Sequence, residues 1–264
     1  MQFRLESVTP VSPSTRSFRF RCTSGAVPFK RGQFYRFVFE DSAGLFERSY
    51  SLANYGAPDD VADLLISEVE GGRATRVLWS AESGLTVAAT GPFGKLTVPE
   101  PAPERLVLVA TSVGLAPFLP ILEAVEPGVA AGTIQLALVL GIRKPDEFIC
   151  RELIERLAAL PGFEVHVCYS RDLPAVPGPT DHAGYVQAVL PVLALDGGRD
   201  VIMVCGNPPM VQACRALLSE MRFPRKRVRH EPYVFAPRIE VQDTALTDSQ
   251  KRLIAEKVAQ HQRD

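Results

Sequence analysis

The second half of this 264-residue chain alternates short apolar runs with helical patterns, and this alternation limits the possible folds more than any other feature. The apolar runs lie at 105–110, 134–140, 163–169 and 200–205. The clearest helical patterns lie at 150–160 and 210–221. Apolar strands separated by helices are typical of a parallel sheet that is covered on both faces. We therefore predict a doubly wound α/β domain, which binds its ligands beyond the carboxyl ends of the strands.

The first hundred residues follow a different pattern, in which aromatic and β-branched residues mix with polar ones. Short runs of this kind lie at 18–22, 33–39 and 63–70, and turns that contain Gly, Asp or Pro separate them. Many short strands with spaced turns favour an antiparallel barrel or sandwich. This part of the chain is therefore predicted to be all β.

A proline-rich segment at 98–104 separates the two patterns. We predict a first domain over 1–100, a second domain over 101–235 and a C-terminal extension over 236–264. Within the extension, the capping-box pattern T-D-S-Q predicts one helix at 248–262.

Composition argues against several classes of function. The formal net charge of −1 argues against nucleic acid as a partner, because nucleic-acid-binding domains usually carry a basic excess. The apolar runs are too short to span a bilayer, and the N-terminal segment lacks the apolar stretch of a signal peptide. Five scattered cysteines, with no C-x-x-C pair, suit reduced thiols rather than iron–sulfur or zinc ligands. We therefore expect a cytoplasmic protein with no metal and no membrane partner. The sequence leaves the oligomeric state open and slightly favours a monomer.

Arg48, Tyr50 and Ser51 form an R-x-Y-S pattern at the end of a predicted strand. An arginine can bind a phosphate, a tyrosine offers a flat face to a ring, and a serine can hydrogen-bond to a heteroatom. Strand alternation predicts that Arg48 and Tyr50 lie on one side of the strand and Ser51 on the other. Taken alone, the pattern is equally typical of a solvent-facing strand.

The segment G-G-R-A-T at 71–75 leads into a helical pattern. A glycine turn before a helix exposes backbone N–H groups that bind phosphate readily, and Thr75 adds a hydroxyl. The alternative interpretation is a turn without a ligand. The G-P-F-G segment at 91–94 is by itself only a turn.

These motifs continue in one order along the chain, with G-L-A-P at 114–117 and C-G-N-P-P-M at 205–210. In this order they resemble the ferredoxin–NADP reductase superfamily, especially the compact bacterial ferredoxin(flavodoxin)–NADP reductases, over about residues 1–235. The resemblance implies an N-terminal antiparallel Greek-key β-barrel that binds FAD and a C-terminal α/β domain that binds NADP(H). It implies a flavoprotein oxidoreductase.

The resemblance assigns residues of the barrel to FAD. Arg48 would contact the pyrophosphate, Tyr50 would pack on the isoalloxazine ring, and Ser51 would lie near flavin N5. The family's phosphate turn corresponds to four residues here, with the backbone of the middle two available to the pyrophosphate: Gly72, Arg73, Ala74 and Thr75.

Two later segments would complete the flavin site. H-E-P-Y-V-F at 230–235 resembles the family's closing segment, which would bring Glu231 near the flavin and Tyr233 or Phe235 close to its ring. Cys205 and Gly206 match a Cys-Gly pair beside the nicotinamide. Because hydride transfer needs no acid–base triad, we assign Cys205 a packing and polarising role rather than a nucleophilic one. The predicted catalytic residues are Ser51, Cys205 and Glu231.

Residues 111–117 resemble the family's nicotinamide nucleotide turn, G-T-G-[IL]-A-P. The segment from Gly114 to Pro117 matches this pattern. Ser112 stands where the family usually has Gly, and Val113 where it has Thr. The loss of one hydroxyl predicts a several-fold weaker nucleotide affinity, which Ser112 would partly restore. Residues assigned to the nucleotide here are Thr111, Ser112, Gly114 and Pro117.

Ser170 and Arg171 follow the third apolar strand, where NADP-specific members of the family place a hydroxyl and an arginine for the 2′-phosphate. A guanidinium and a hydroxyl suit a phosphate dianion. Asp172 and the lack of an arginine in H-A-G-Y-V at 182–186 argue the other way, because an acidic residue suits the ribose of NAD. Arg143, which follows another strand, is a further candidate for the pyrophosphate. We expect NADP(H) rather than NAD(H).

The one-electron acceptor of the flavin is expected to be a separate protein, ferredoxin or flavodoxin. The segment 222–230 holds five Arg and Lys residues and no acid, and we predict that it steers an acidic partner to the flavin edge. Two alternatives stay open: an NADH-dependent reductase component of an oxygenase or a free flavin reductase, and a non-catalytic flavin-binding regulatory subunit. The extension beyond residue 235 would either limit access to the flavin edge or form a dimer contact.

Overall fold

A computed structural model of the protein describes residues 1–233; Phe235 and the predicted extension over 236–264, with its helix at 248–262, lie outside the described residues. The first half forms one antiparallel sheet. Its six strands are β1 (Gln2–Ser12), β2 (Thr15–Cys22), β3 (Phe34–Asp41), β4 (Gly44–Ser51), β5 (Val61–Ser67) and β6 (Thr86–Phe93). Their order in space is β4-β3-β6-β1-β2-β5, and the two edge strands contact each other, so the sheet curls into the predicted barrel.

Aromatic side chains fill the barrel. Strand alternation points every second residue inward, so that Phe3, Tyr35 and Phe37 are fully buried while their neighbours face outward. A short helix, α1 (Arg73–Trp79), follows β5 and contacts β3. Large buried rings explain how a domain of about a hundred residues obtains a stable core.

The second half forms a parallel sheet, as the alternation of apolar runs and helices predicts. Its strands are β7 (Arg105–Thr111), β8 (Gln135–Ile142), β9 (Phe163–Tyr169), β10 (Asp181–Ala183), β11 (Asp200–Gly206) and β12 (Val228–Pro232). Helices α2 (Phe118–Ala130), α3 (Arg151–Ala158) and α4 (Pro208–Glu220) connect them. The two-domain fold of barrel and doubly wound sheet is confirmed.

The order of the second sheet, β10-β9-β8-β7-β11-β12, creates its binding crevice. The chain proceeds from β7 toward one edge and later returns to place β11 on the other side of β7. In such sheets the loops after these two strands diverge and leave a crevice at their carboxyl ends. The segments at this crevice are 111–117 and 205–208.

One helical segment of the described chain, Ser112–Ala130, is long and apolar enough to cross a membrane by length and composition alone. In this protein 61% of it is buried against the rest of the fold. Phe118, Ile121 and Leu122 belong to the core beneath the parallel sheet. Its apolar character is therefore accounted for by its place in the core.

Candidate functional site

The three residues predicted to be catalytic come together where the barrel meets the parallel sheet. Cys205 and Glu231 are paired neighbours on β11 and β12. Tyr233 follows β12, and its hydroxyl lies 3.0 Å from the Oγ of Ser51, the last residue of β4. The Tyr233 backbone N–H also donates to the carbonyl of Gly206 at 2.7 Å. A single cluster therefore joins residues that lie as much as 182 positions apart in the chain.

Glu231 faces the barrel from the edge strand β12. A Cβ added to Gly94 would lie 3.1 Å from Oε2 of Glu231 and 3.0 Å from the ring of Phe34, so the carboxyl group sits against the barrel backbone. Within residues 1–233 it has no ion pair, and burial raises its pKa from 4.5 to about 7. Glu231 can therefore hold or release a proton near neutral pH.

The thiol of Cys205 is fully buried, and burial raises its pKa far above the usual range. A thiol in this environment stays protonated and is a poor nucleophile. Burial likewise raises the pKa of Tyr233 well above 10. Both groups are neutral at physiological pH, as the packing role predicted for Cys205 requires.

The turn after β7 is packed tightly against the end of β11. A Cβ on Gly114 would lie 2.3 Å from the carbonyl oxygen of Cys205, and a Cβ on Gly206 would lie 2.2 Å from Oγ1 of Thr111. The backbone N–H of Asn207 donates to that same Oγ1 at 3.3 Å. Bare glycine backbone at both positions allows these two loops to approach each other.

Ser112 occupies its turn in an unusual backbone conformation. Its φ is +49°, which is the left-handed region that favours glycine. This explains why a glycine suits the position in relatives with the G-T-G turn. Its Oγ lies 3.3 Å from the Oγ of Ser67 on β5, so the hydroxyl is directed to the barrel. Pro117 is the N-cap residue of α2, and it makes no side-chain hydrogen bond that would cap the helix.

The residues predicted to bind the FAD pyrophosphate also lie together. The guanidinium groups of Arg48 and Arg73 lie over the same ring, that of Phe46, at 5.1 and 4.2 Å from its centroid. Arg73 is paired with Asp41, and its Nε donates to Oδ2 at 2.7 Å. Arg48 donates only to the carbonyl of the adjacent Glu47 within the described chain, so its charge is the one available to a ligand.

The glycine turn before α1 exposes backbone at the same place. The N-cap residue of this helix is Gly72, which has no side chain to cap it, and a Cβ there would lie 2.9 Å from the carbonyl oxygen of Val69. Thr75 is buried, and its hydroxyl accepts a hydrogen bond from the Val69 N–H at 3.1 Å. The N–H groups of Arg73 and Ala74 therefore remain the donors that the turn offers to a phosphate.

Tyr50 lies on the opposite side of β4 from Ser51, as alternation predicts. Its ring contacts those of Phe37 and Phe39 at centroid distances of 6.1 and 6.2 Å. Burial raises the pKa of its hydroxyl far above 10. The ring is thereby held in place by the aromatic core of the barrel.

Arg143, Ser170 and Arg171 lie together at the carboxyl ends of β8 and β9. The Ser170 N–H donates to the carbonyl of Ile142 at 3.0 Å, and the Arg171 N–H donates to the carbonyl of Arg143 at 3.1 Å. Both arginine side chains are exposed. This group is separated from β11 by two to three strand spacings, about 10–14 Å along the sheet edge.

Two residues of this edge carry information that the sequence alone did not give. Asp172, which argued for NAD(H), lies 3.6 Å from Nζ of Lys144 and is thereby partly neutralised. Tyr185, to which the sequence assigned no role, follows β10 and is 65% exposed beside the end of β9. An aromatic residue directly after a strand of this sheet is the sequence signal by which Tyr185 could have been named as a candidate binding residue.

The predicted docking segment at 222–230 is divided by the structure. Arg229 reaches the barrel, where its guanidinium donates to the carbonyl of Thr97. Arg225, Lys226 and Arg227 form a 3-10 turn before β12, about 13 Å along the strand from Glu231. They lie at the amino end of a parallel strand, whereas ligands of such sheets bind at the carboxyl ends, so this placement does not support their predicted role at the flavin edge, which stays a prediction.

The donor groups present suit both predicted cofactors. Uncapped helix N-termini at α1 and α2, exposed arginines and glycine backbone are the features that bind pyrophosphate groups. The five cysteines are free and dispersed, and within residues 1–233 no group of three His, Cys, Asp or Glu side chains could hold a metal ion. The site chemistry is that of nucleotide phosphates and aromatic rings.

Comparison with protein families agrees with this division. Residues 2–98 match the oxidoreductase FAD-binding domain family, and residues 108–216 match the oxidoreductase NAD-binding domain family. Ferredoxin–NADP reductase B of Sorangium cellulosum (strain So ce56) is 34% identical over 242 residues, which cover 87% of this chain and 96% of that protein. The reductase component of propane 2-monooxygenase from Rhodococcus jostii (strain RHA1) is 30% identical, and the match covers 70% of this chain but only 51% of that protein.

Solved structures show the same fold. A ferredoxin NADP+ reductase from Neisseria gonorrhoeae with bound FAD and NADP has a TM-score of 0.74 at 23% identity, covering 89% of this chain and 98% of that one. A cytochrome P450 reductase from Amycolatopsis has a TM-score of 0.78 at 24% identity, covering 88% of this chain and 70% of that one. The chain therefore belongs to the ferredoxin–NADP reductase family and is an FAD-dependent oxidoreductase that uses a nicotinamide nucleotide.

Proposed function

We propose that this protein takes a hydride from NADPH onto its FAD and passes single electrons, reversibly, to a separate ferredoxin or flavodoxin. The observation that carries the proposal is the cluster of Ser51, Tyr233, Cys205 and Glu231, which joins the FAD-binding barrel to the nicotinamide-binding crevice. Bound FAD would accept a hydride and release electrons one at a time. The match to a ferredoxin–NADP reductase, which covers 87% of this chain and 96% of that protein, supports the same acceptor class.

Each residue of the cluster has a role that its environment supports. Ser51 and Tyr233 share a hydrogen bond that connects the end of β4 in the barrel to the segment after β12. Cys205 supplies a neutral, compact wall beside the crevice. Glu231, whose pKa lies at about 7, can exchange a proton with a reduced ring beside it or with water.

Charge at the carboxyl ends of β8 and β9 supports NADPH over NADH. Arg143, Lys144 and Arg171 are gathered there, against one carboxylate, Asp172, which Lys144 partly neutralises. An arginine and a hydroxyl suit the 2′-phosphate of NADPH, which NADH lacks.

The variant Arg171→Ala tests this preference. Because hydrogen bonds to charged groups contribute about 1.5–3 kcal/mol, we expect KM for NADPH to rise by about tenfold or more, with KM for NADH almost unchanged. Arg225→Ala removes an exposed cation at the other end of the sheet and is the matched control. Equal changes for both nucleotides would contradict a 2′-phosphate site at Arg171.

The barrel surface beside Glu231 is where we propose that the protein partner docks. Phe93 is 38% exposed, and its ring lies 5.8 Å from that of Phe34, which contacts the same Gly94 as Glu231 does. The guanidinium of Arg36 lies 5.2 Å from the Phe93 ring, and Lys95 is exposed next to Gly94. An exposed ring bordered by cations suits an acidic electron-transfer protein.

The double variant Arg36→Glu/Lys95→Glu tests this docking surface. We expect NADPH-dependent reduction of an acidic ferredoxin to slow by about tenfold at low salt, with the difference shrinking as salt rises, because charge steers the encounter. Ferricyanide reduction should stay near the wild-type rate. Arg225→Glu/Lys226→Glu is the control, and a loss in the control as large as in the test variant would contradict the assignment.

The alternative is an NADH-dependent reductase component of an oxygenase, which the match to propane 2-monooxygenase reductase favours. This chain spans about half of that relative. Faster turnover with NADH than with NADPH, with electrons delivered to an oxygenase, would support the alternative. A protein that binds flavin but is never reduced by either nucleotide would instead be a regulatory subunit.

A further inference from the structure

A hydrogen-bonded cluster on the far side of the joint links the barrel to two helices of the second domain. The hydroxyl of Tyr55, in the loop after β4, donates to the carboxylate of Glu126 on α2. Arg156 on α3 donates to the Tyr55 hydroxyl at 2.6 Å and to Oε1 of Glu126 at 2.9 Å. Each of the three side chains therefore contacts both of the others.

A second pair of contacts lies one turn along α2. The backbone N–H of Gly56 donates to Oε1 of Glu123 at 3.0 Å. Arg31, in the loop before β3, lies 3.6 Å from the other carboxylate oxygen of Glu123. The two carboxylates of α2 therefore hold the same barrel loop at adjacent positions.

The loop that carries Tyr55 is hydrogen-bonded to β5 on its barrel side. The side-chain amide of Asn54 is buried, donates to the carbonyl of Val61 at 2.7 Å and accepts from the N–H of Asp63 at 3.0 Å. The N–H of Ala53 also donates to the carbonyl of Asp63 at 2.7 Å. These contacts tie the segment between Ser51 and Tyr55 to β5, so they fix the position of Tyr55 relative to the end of β4.

Both sides of this cluster lead directly to the site. Tyr55 stands four residues after Ser51, so the cluster holds the strand that carries the predicted flavin residues. Glu126 stands on α2, which begins immediately after the nicotinamide turn that ends at Pro117. Helix α2 therefore connects two places: the nucleotide turn precedes its first residue, and the contact with Tyr55 lies in its last two turns.

We propose that Tyr55, Glu126 and Arg156 form a positioning latch that sets the distance and angle between the flavin strand and the nicotinamide turn. The inference rests on hydride transfer between the nicotinamide and FAD but not on the identity of the electron acceptor. Misplacement of the reacting atoms by about 1 Å can slow a reaction by about a hundredfold, so a latch far from the chemistry can control its rate. None of the three residues touches the reacting atoms in this assignment.

The test variants are Tyr55→Phe, which removes both hydrogen bonds of the Tyr55 hydroxyl, and Glu126→Gln, which removes the charge of the carboxylate. Both substitutions nearly keep the size of the side chain. Glu155→Gln is the matched control, because Glu155 pairs with Arg151 at 3.4 Å on α3 without reaching the barrel. In anaerobic rapid mixing of the FAD-loaded proteins with NADPH or NADH, we expect the limiting rate of flavin reduction to fall about tenfold in both test variants. The apparent Kd of the nucleotide should change less than about twofold, and Arg156→Lys should retain more of the rate than Arg156→Ala.

Hydrogen exchange of the FAD-free protein gives a second readout that does not depend on activity. We expect Tyr55→Phe to raise amide exchange both in the loop 52–58 and in the turn 112–118, whereas Glu155→Gln should raise it in neither. Limiting rates equal to wild type in both test variants, or faster exchange confined to 52–58, would overturn the latch. A wild-type protein that neither nucleotide reduces would instead overturn the proposed function, and the exchange result would still decide whether the two segments are coupled.

Discussion

Glu231 is the residue of the site whose pKa burial moves to near neutral pH, and its effect on stability can be measured. Its pKa in the folded protein is about 7, because burial against the barrel disfavours the charged form, whereas an unfolded glutamate titrates near its ordinary value. The folded state therefore binds this proton more tightly. The contribution of Glu231 to the free energy of unfolding should therefore fall as pH rises from about 4.5 to about 7. Above that range its destabilising effect should be fully present.

Replacing Glu231 with Gln in the FAD-free protein removes this destabilising effect. Above about pH 7 we expect the free energy of unfolding in urea to be about 1–3 kcal/mol higher for Glu231→Gln than for the wild type. Below about pH 4.5 this difference should vanish. Glu231 is partly exposed in this structure, and solvent therefore screens part of the effect, so the difference should not exceed the upper end of that range. A difference that is the same at both pH values would show that packing, rather than ionisation, distinguishes the two side chains.

Ser112 shows how a departure from a family pattern can have a physical meaning. The sequence comparison treats it as a replacement for Gly that partly restores a lost threonine hydroxyl. In the structure its left-handed backbone explains the preference for Gly, and its hydroxyl is directed to Ser67 rather than to the crevice. The compensation predicted for Ser112 therefore has no support in its orientation, while the weaker nucleotide affinity stays a prediction.

At the scale of elements, the tightest constraint is the packing of the nicotinamide turn on β11. Gly114→Ala would place a methyl group 2.3 Å from the carbonyl oxygen of Cys205, and neither backbone can yield easily. We expect a loss of about 2–3 kcal/mol in unfolding free energy and a loss of nucleotide binding, with FAD still bound in the barrel. Calorimetry and anaerobic nucleotide titration of the yellow protein check both parts.

Gly178→Ala is the control for this substitution. A Cβ there would meet only the carboxylate of Asp181 at 3.4 Å, an ordinary contact, so we expect less than about 0.5 kcal/mol of change. A Gly114→Ala protein that is as stable as the control and binds NADPH normally would contradict the packing account.

The elements that sequence patterns predicted best are those buried on both faces. Strands β7, β8, β9 and β11 appear in the sequence as continuous apolar runs, because helices cover both sides of the sheet. The edge strand β12, V-R-H-E-P, has no fully buried residue. Its composition therefore gave no strand signal, and its cations were interpreted as a docking surface instead. Burial, not β-propensity, produces the pattern that can be recognised.

For the whole molecule, the predicted site residues could be named because each lies in a short local motif, such as R-x-Y-S or G-L-A-P. Their meeting in space could not be predicted from those motifs alone, since it depends on how the barrel is set against the sheet. Tyr55, Glu126 and Arg156 belong to no motif, and Tyr55 is separated from the other two by 71 and 101 positions. Contacts of this range follow from domain packing, which a single sequence does not reveal.

In the proposed function, the nicotinamide crevice and the FAD-binding barrel act on one electron pair. The most direct test is an anaerobic titration of the FAD-loaded protein with NADPH and, separately, with NADH, followed by the absorbance of the oxidised flavin. We predict complete loss of the flavin band with NADPH, at lower concentrations than with NADH, and recovery of the band when ferredoxin or ferricyanide is added. A flavin band that persists with an excess of both nucleotides would contradict the account.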